Sequence, residues 1–116
     1  MLSEKEFAEF KRGPLQMMVL FLLKEKDMYG YNITQEIKRR SQGDFLVAES
    51  VLYIVLYRLE QRGYVSKFKE EGVKKARVFY HLEPAGQAFL DDLLSAYSAI
   101  TRGVCRVLDF QLEEGQ

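Results

Sequence analysis

Between Gly63 and Pro84 the hydrophobic pattern of this chain changes period, and few small folds accommodate the change. Before Gly63, apolar residues recur at three- and four-residue steps, the signature of helices with one buried face; from Tyr64 to Leu82 they alternate in two short runs, as strands do. After Pro84 the helical step returns and persists to about Leu112. A two-strand hairpin is therefore wedged between helices, with Glu70 to Ala76, including Gly72, as its polar turn.

The part before the hairpin divides into three helices. Leu15, Met18, Val19, Leu22 and Leu23 share a face of the first, and Pro14 reads as its opening turn, where a missing N–H costs nothing. Ser3 to Phe10, with Phe7 and Phe10 as apolar contacts, reads either as a separate short helix or as an extension of this one. Lys26 to Gly30 breaks the pattern; Tyr31, Ile33 and Ile37 resume it, and Lys38-Arg39-Arg40 close the second helix at its negative dipole end. Gly43 stops that helix, and Phe45-Leu46-Val47 reads as a brief β-like run. A third helix spans Glu49 to Arg62, with Leu52, Val55, Leu56 and Leu59 inward and Gly63 as a left-handed stop. The expected fold class is mainly α with a small β-hairpin wing. A winged helix-turn-helix DNA-binding domain is expected over residues 1–83 and a long C-terminal dimerisation helix over residues 84–116.

With 47% apolar and 13% aromatic residues the chain can build one modest core, which argues against disorder. The opening Met1-Leu2-Ser3-Glu4-Lys5-Glu6 carries acids where a secretion signal is basic and then apolar, and the apolar stretch Leu15 to Leu23 is too short for a membrane span. A cytoplasmic protein without a membrane partner is expected, in keeping with the single Cys105. Neither Cys105 nor the single His81 has the companions a metal site requires, so no metal or cofactor is expected. Asp91-Asp92 and Glu113-Glu114 read as solvated helix surface, and the phosphate-cradling and nucleophile motifs of enzymes do not occur in the sequence, so the protein is not read as an enzyme.

The net charge of zero argues against a sequence-independent DNA coat, but its distribution is uneven. Residues 1–83 carry +3 and residues 84–116 carry −3, and the segment from Arg58 to His81 alone is +4. In a winged helix this places Lys74, Lys75 and Arg77 on the wing as phosphate contacts. On the third helix Glu49, Ser50, Tyr53, Ile54 and Tyr57 lie off the buried stripe and face base edges or backbone; Tyr53 alternatively packs under the wing. Tyr29 and Tyr31 either offer hydroxyls to phosphates or anchor the core. The stripe Leu90, Leu93, Leu94, Tyr97, Ile100, Val104 and Leu108 is longer than a small domain can cover, which implies a homodimer through the last helix. A second reading stays open, a winged helix that binds proteins, because the net charge is zero and Val51 and Ile54 are apolar on the reading face.

Three segments carry a family resemblance. Met28-Tyr29-Gly30-Tyr31-Asn32-Ile33, Ser50-Val51-Leu52-Tyr53 with Tyr57-Arg58-Leu59-Glu60-Gln61-Arg62-Gly63-Tyr64-Val65, and Lys75-Ala76-Arg77-Val78-Phe79-Tyr80-His81-Leu82-Glu83-Pro84-Ala85-Gly86 occur in order. Over about residues 12–90 the chain resembles the PadR family of winged-helix transcriptional regulators. The resemblance implies a homodimeric regulator, typically a repressor, that sets its third helix and wing on a palindromic operator in double-stranded DNA and responds to small molecules or stress. The chain departs from the family pattern at Ala48, Val51 and Ile54 and in the wing at Val73-Lys74-Lys75-Ala76. Some relatives carry an aromatic at the place of Tyr97, which implies that two copies of Tyr97 meet at the dimer axis and stack on a flat aromatic effector. Ser98 and Asp91 or Asp92 are then its polar partners, and the alternative is a filled interface in which Tyr97 only packs.

Overall fold

The computed structural model describes residues 1–111, without the side chains of Phe7 and Ala8. In chain order the elements are α1 (Glu4–Glu25), β1 (Met28–Tyr29), α2 (Gly30–Arg40), α3 (Glu49–Gln61), β2 (Val65–Lys69), β3 (Val78–Leu82) and α4 (Pro84–Leu108). This is the winged helix-turn-helix order with a long C-terminal helix, and the described residues include no helix long and apolar enough to cross a membrane.

α1 begins on a reciprocal cap: the Glu6 N–H donates to Ser3 Oγ at 3.2 Å and the Ser3 N–H donates to Glu6 Oε1 at 2.9 Å. The helix runs through Pro14 instead of starting there, so the extension reading of Ser3 to Phe10 holds and the Pro14 start does not. An interior proline costs about 3 kcal/mol. Here the cap holds the helix before Pro14 and burial holds it after. Leu15, Met17, Val19, Leu20, Leu22 and Leu23 are all buried, more than one helical face can present, because α2, α3, β3 and α4 all pack on α1.

The sheet contains a strand that the alternation of apolar residues does not reveal. Its order is β1-β3-β2, antiparallel throughout, with Met28 opposite Tyr80 and Tyr29 opposite Phe79. The strand-like reading of Phe45-Leu46-Val47 is corrected: these residues are loop. The Phe45 N–H is taken by Ser41 Oγ at 3.0 Å, Phe45 and Val47 turn against the core, and Leu46 is left exposed, so the segment finds no strand to pair with.

The hairpin pairs Val65 with Leu82 and Lys69 with Val78, a register that places alternate residues on opposite faces. Its entry is fixed by the end of α3. Gly63 adopts φ 75°, the Tyr64 N–H reaches Leu59 O at 3.0 Å and the Gly63 N–H reaches Glu60 O at 2.9 Å, the paired bonds of a glycine helix stop. Its exit is fixed by α4, where the Phe89 ring stacks on Tyr64 at 4.4 Å and Gly86 lies against the Tyr64 carbonyl.

α4 corrects the proposed stripe at its start. Leu90 is completely buried in its own core and so is not free for a partner, while Leu93 packs against that core and is partly covered by it. Leu94, Tyr97, Ile100, Val104 and Leu108 remain exposed. The helix ends at Leu108 with Asp109 left-handed; Leu112, Glu113 and Glu114 lie outside the described residues.

An ion network joins the end of α1 to α2. Arg40 bridges Glu25 at 2.7 Å and Glu36 at 3.2 Å, and Arg39 bridges Glu36 at 2.7 Å. The hydrogen bond from Arg39, aided by Arg40, holds the Glu36 carboxyl down at about 2, against an ordinary 4.5. Since the folded value is the lower one, the network's contribution is complete above about pH 4.5 and is lost as the pH falls towards 2. The acid limb of stability should therefore be flatter in Glu36→Gln, as measured by urea unfolding at a series of pH values. A Cβ on Gly86 would run into the Tyr64 carbonyl oxygen, which is backbone and cannot swing aside. Gly86→Ala should cost about 1–3 kcal/mol. An unchanged thermal midpoint would contradict that packing.

Candidate nucleic-acid interface

α3 has two faces. Leu52, Leu56 and Leu59 are buried, while Ser50, Ile54, Tyr57 and Gln61, at steps of four, three and four, form an exposed stripe opposite them. Tyr53 flanks the stripe on the sheet side, and Val51 and Arg58 flank it on the other. Glu49, exposed in the first turn, suits the positive end of the helix dipole.

Tyr53 is held by a glycine. Its ring crosses the start of α2 so closely that a Cβ on Gly30 would overlap the hydroxyl and lie 2.7 Å from Cζ. Tyr53 therefore packs on the start of α2 and not under the wing alone, and remains 43% exposed. Beside it an open groove of about 630 Å³ separates α3 from the wing, lined by Tyr29, Tyr31, Tyr53, Lys67, Phe68, Lys69, Arg77, Val78 and Tyr80. Tyr31 is exposed there. Tyr29 is half-buried, meeting Phe79 edge to face at 5.4 Å under the Arg77 guanidinium, 4.4 Å above its ring.

The wing's charges fall into two groups. Lys74 and Lys75, at the exposed turn, form no ion pair among the described residues. Arg77 is engaged: Nε donates to Glu70 Oε1 at 3.2 Å and Nη2 to Oε2 at 2.9 Å. That fork holds the Glu70 carboxyl below the usual carboxylate range and raises the guanidinium still higher. Arg77 thus braces the root of the wing, whereas the two lysines are at its tip.

Lys67 and Lys69 in the groove were not singled out by the sequence reading. Strand alternation would have found them, because they share the face of β2 that buries Val65. Lys67 pairs with Glu60 of α3 at 3.5 Å. His81, on the opposite face of the sheet, contacts Asp27 at 2.7 Å and Glu83 at 3.7 Å, and no group of metal ligands occurs among the described residues. On α4, Ser98 Oγ accepts from Arg102 at 2.7 Å beside the exposed Tyr97, and Asp91 accepts from Gln87 at 3.0 Å.

A protein-family model for the transcriptional regulator PadR-like family matches residues 19–92. The chain belongs to that family. This PadR-like chain is 34% identical over 93 residues to uncharacterized protein X of Lysinibacillus sphaericus, covering 77% of the chain and 83% of that protein. It is similar to a transcriptional regulator from Clostridium thermocellum, with TM-score 0.80 and 26% identity over 84% of this chain and 96% of the other. It is also similar to Bacillus subtilis PadR, solved in complex with operator DNA, with TM-score 0.63 and 27% identity over 69% of this chain and 46% of the other.

In Gly30→Ala the added methyl should turn the Tyr53 ring away from α2. Stability should change by less than about 1 kcal/mol, since an exposed ring can move. Nuclear Overhauser contacts between the Tyr53 ring and residue 30 should be lost, and their retention would contradict the packing described.

Proposed function

We propose that this PadR-like regulator binds duplex DNA as a homodimer, with α3 in the major groove and the wing on the adjacent backbone. One observation carries the reading. An uncovered stripe on α3 is accompanied by a basic aromatic groove and by two wing lysines without an ion pair among the described residues, in a fold shared with a relative solved on operator DNA. Within it, Lys74 and Lys75 neutralise phosphates, Arg77 shapes the wing that carries them, and Tyr29, Tyr31, Glu49, Ser50, Tyr53 and Tyr57 belong to the reading surface.

The dimer forms through the part of α4 that its own domain leaves bare. Leu94, Tyr97, Ile100, Val104 and Leu108 are exposed, and Phe10 and Phe21 add an apolar pair three turns apart on one face of α1. Two-fold pairing presents two α3 helices to a palindromic operator. The protein acts as a cytoplasmic repressor, released by a small aromatic effector at the paired Tyr97 rings with Ser98 beside them. Such an effector works only by binding one spacing of the reading helices more tightly than another, because equal affinity for both shifts nothing.

Lys74→Ala combined with Lys75→Ala should weaken binding by a similar factor on every duplex. It should also reduce the slope of log affinity against log salt by about 3.6 per bound dimer, since each of the four phosphate contacts contributes about 0.9. Fluorescence anisotropy across a salt series measures both quantities. An unchanged slope would remove the wing from the interface, and the absence of salt-dependent duplex binding in the wild type would remove the function.

A further inference from the structure

The reading stripe of α3 is unusual in what it lacks. Through its first two turns, Glu49 to Leu56, it holds no arginine, lysine, asparagine or glutamine, the side chains that grip guanine or adenine with two hydrogen bonds. The first such groups are Arg58, on the flank, and Gln61, in the last turn. At the centre of the stripe is Ile54, 53% exposed, between Ser50 one turn before and Tyr57 one turn after. Val51, 47% exposed, extends the apolar surface to the α1 side.

An isoleucine in that place has one apolar counterpart on the edges of base pairs in the major groove. Of the four bases only thymine presents a methyl group there. Cationic side chains flank the helix on both sides, Arg12 and Arg58 in the pocket that Ile54 and Val51 line and Lys69 in the groove beyond Tyr53, an arrangement that suits a polyanion. The fold is shared with a relative solved on operator DNA, which favours a duplex over a protein as the partner of this face. We infer that Ile54 determines operator specificity by packing on a thymine 5-methyl group, with Ser50 and Tyr57 supplying hydroxyls to neighbouring base or phosphate oxygens. This rests on the DNA-binding reading above and gives it a base preference: A·T pairs at the centre of each half-site, with thymine on the strand that faces Ile54.

Replacing thymine by deoxyuridine removes that methyl and leaves every hydrogen bond in place. Duplexes selected from a random pool by the full-length protein are remade with deoxyuridine at each thymine in turn, and affinities are measured by anisotropy at fixed salt. At one position per half-site the wild type should bind about fourfold more weakly, the value of burying one methyl-sized group. Ile54→Ala should bind the thymine and deoxyuridine duplexes alike at that position with an unaltered salt slope, and Ile54→Val should fall between, with circular dichroism confirming that each variant folds. Wild-type protein that binds selected duplexes specifically but equally well with deoxyuridine at every position would overturn the inference alone. So would an Ile54→Ala variant that keeps the discrimination. Failure to select any duplex would overturn the DNA-binding reading and this inference together, and would return Ile54 to a protein partner.

Discussion

Enclosure of α1 by the other elements is the constraint on which this fold depends. Val19 and Leu20 are completely buried, and so are Ile33 of α2, Leu52 and Leu56 of α3 and Leu90 of α4, with Tyr80 of β3 buried beside them. Each fully buried aliphatic side chain contributes about 1.5–3 kcal/mol. Core substitutions in α1 would therefore loosen α3, the sheet and α4 together. Because α3 buries only the face bearing Leu52, Leu56 and Leu59, the same packing that fixes it also fixes which residues point outward.

Polar interactions then tune what the core has placed. The Glu25–Arg40–Glu36 network ties α2 to the end of α1, and the Glu70–Arg77 fork stiffens the root of the wing. Neither is buried, and exposed pairs contribute little to stability. Their effect is geometric: Arg77, engaged with Glu70 and lying over Tyr29, holds one wall of the groove between sheet and helix. Lys74 and Lys75 at the wing tip, which form no ion pair among the described residues, are the charges a polyanion can claim.

Much of this was legible in the residues, and the exceptions have physical reasons. The spacing of Leu52, Leu56 and Leu59 with Gly63 located α3 to within a residue, since an amphipathic helix with a glycine stop carries its own boundaries. β1 escaped because a two-residue strand has no period; only its partner β3 makes it a strand. The continuity of α1 stays open in the apolar spacing because Pro14 suits a helix start as well as an interior position, and the Ser3 and Glu6 cap decides for the single helix. Leu90 looked like interface because periodicity shows which residues share a face and does not show which neighbour covers it. The fork between Glu70 and Arg77 follows from hairpin register, whereas the fit of Tyr53 over Gly30 joins two helices and leaves no local trace.

In the proposed function, one compact reading unit becomes a regulator only when the bare face of α4 joins it to a second copy. Sedimentation equilibrium of the full chain, alone and with a selected duplex, tests this most directly. Two chains per particle are expected at micromolar concentration and two chains per duplex, on half-sites whose centres lie about one helical turn, or a multiple of it, apart. A stable folded monomer, or one chain bound per duplex with full affinity, would contradict it.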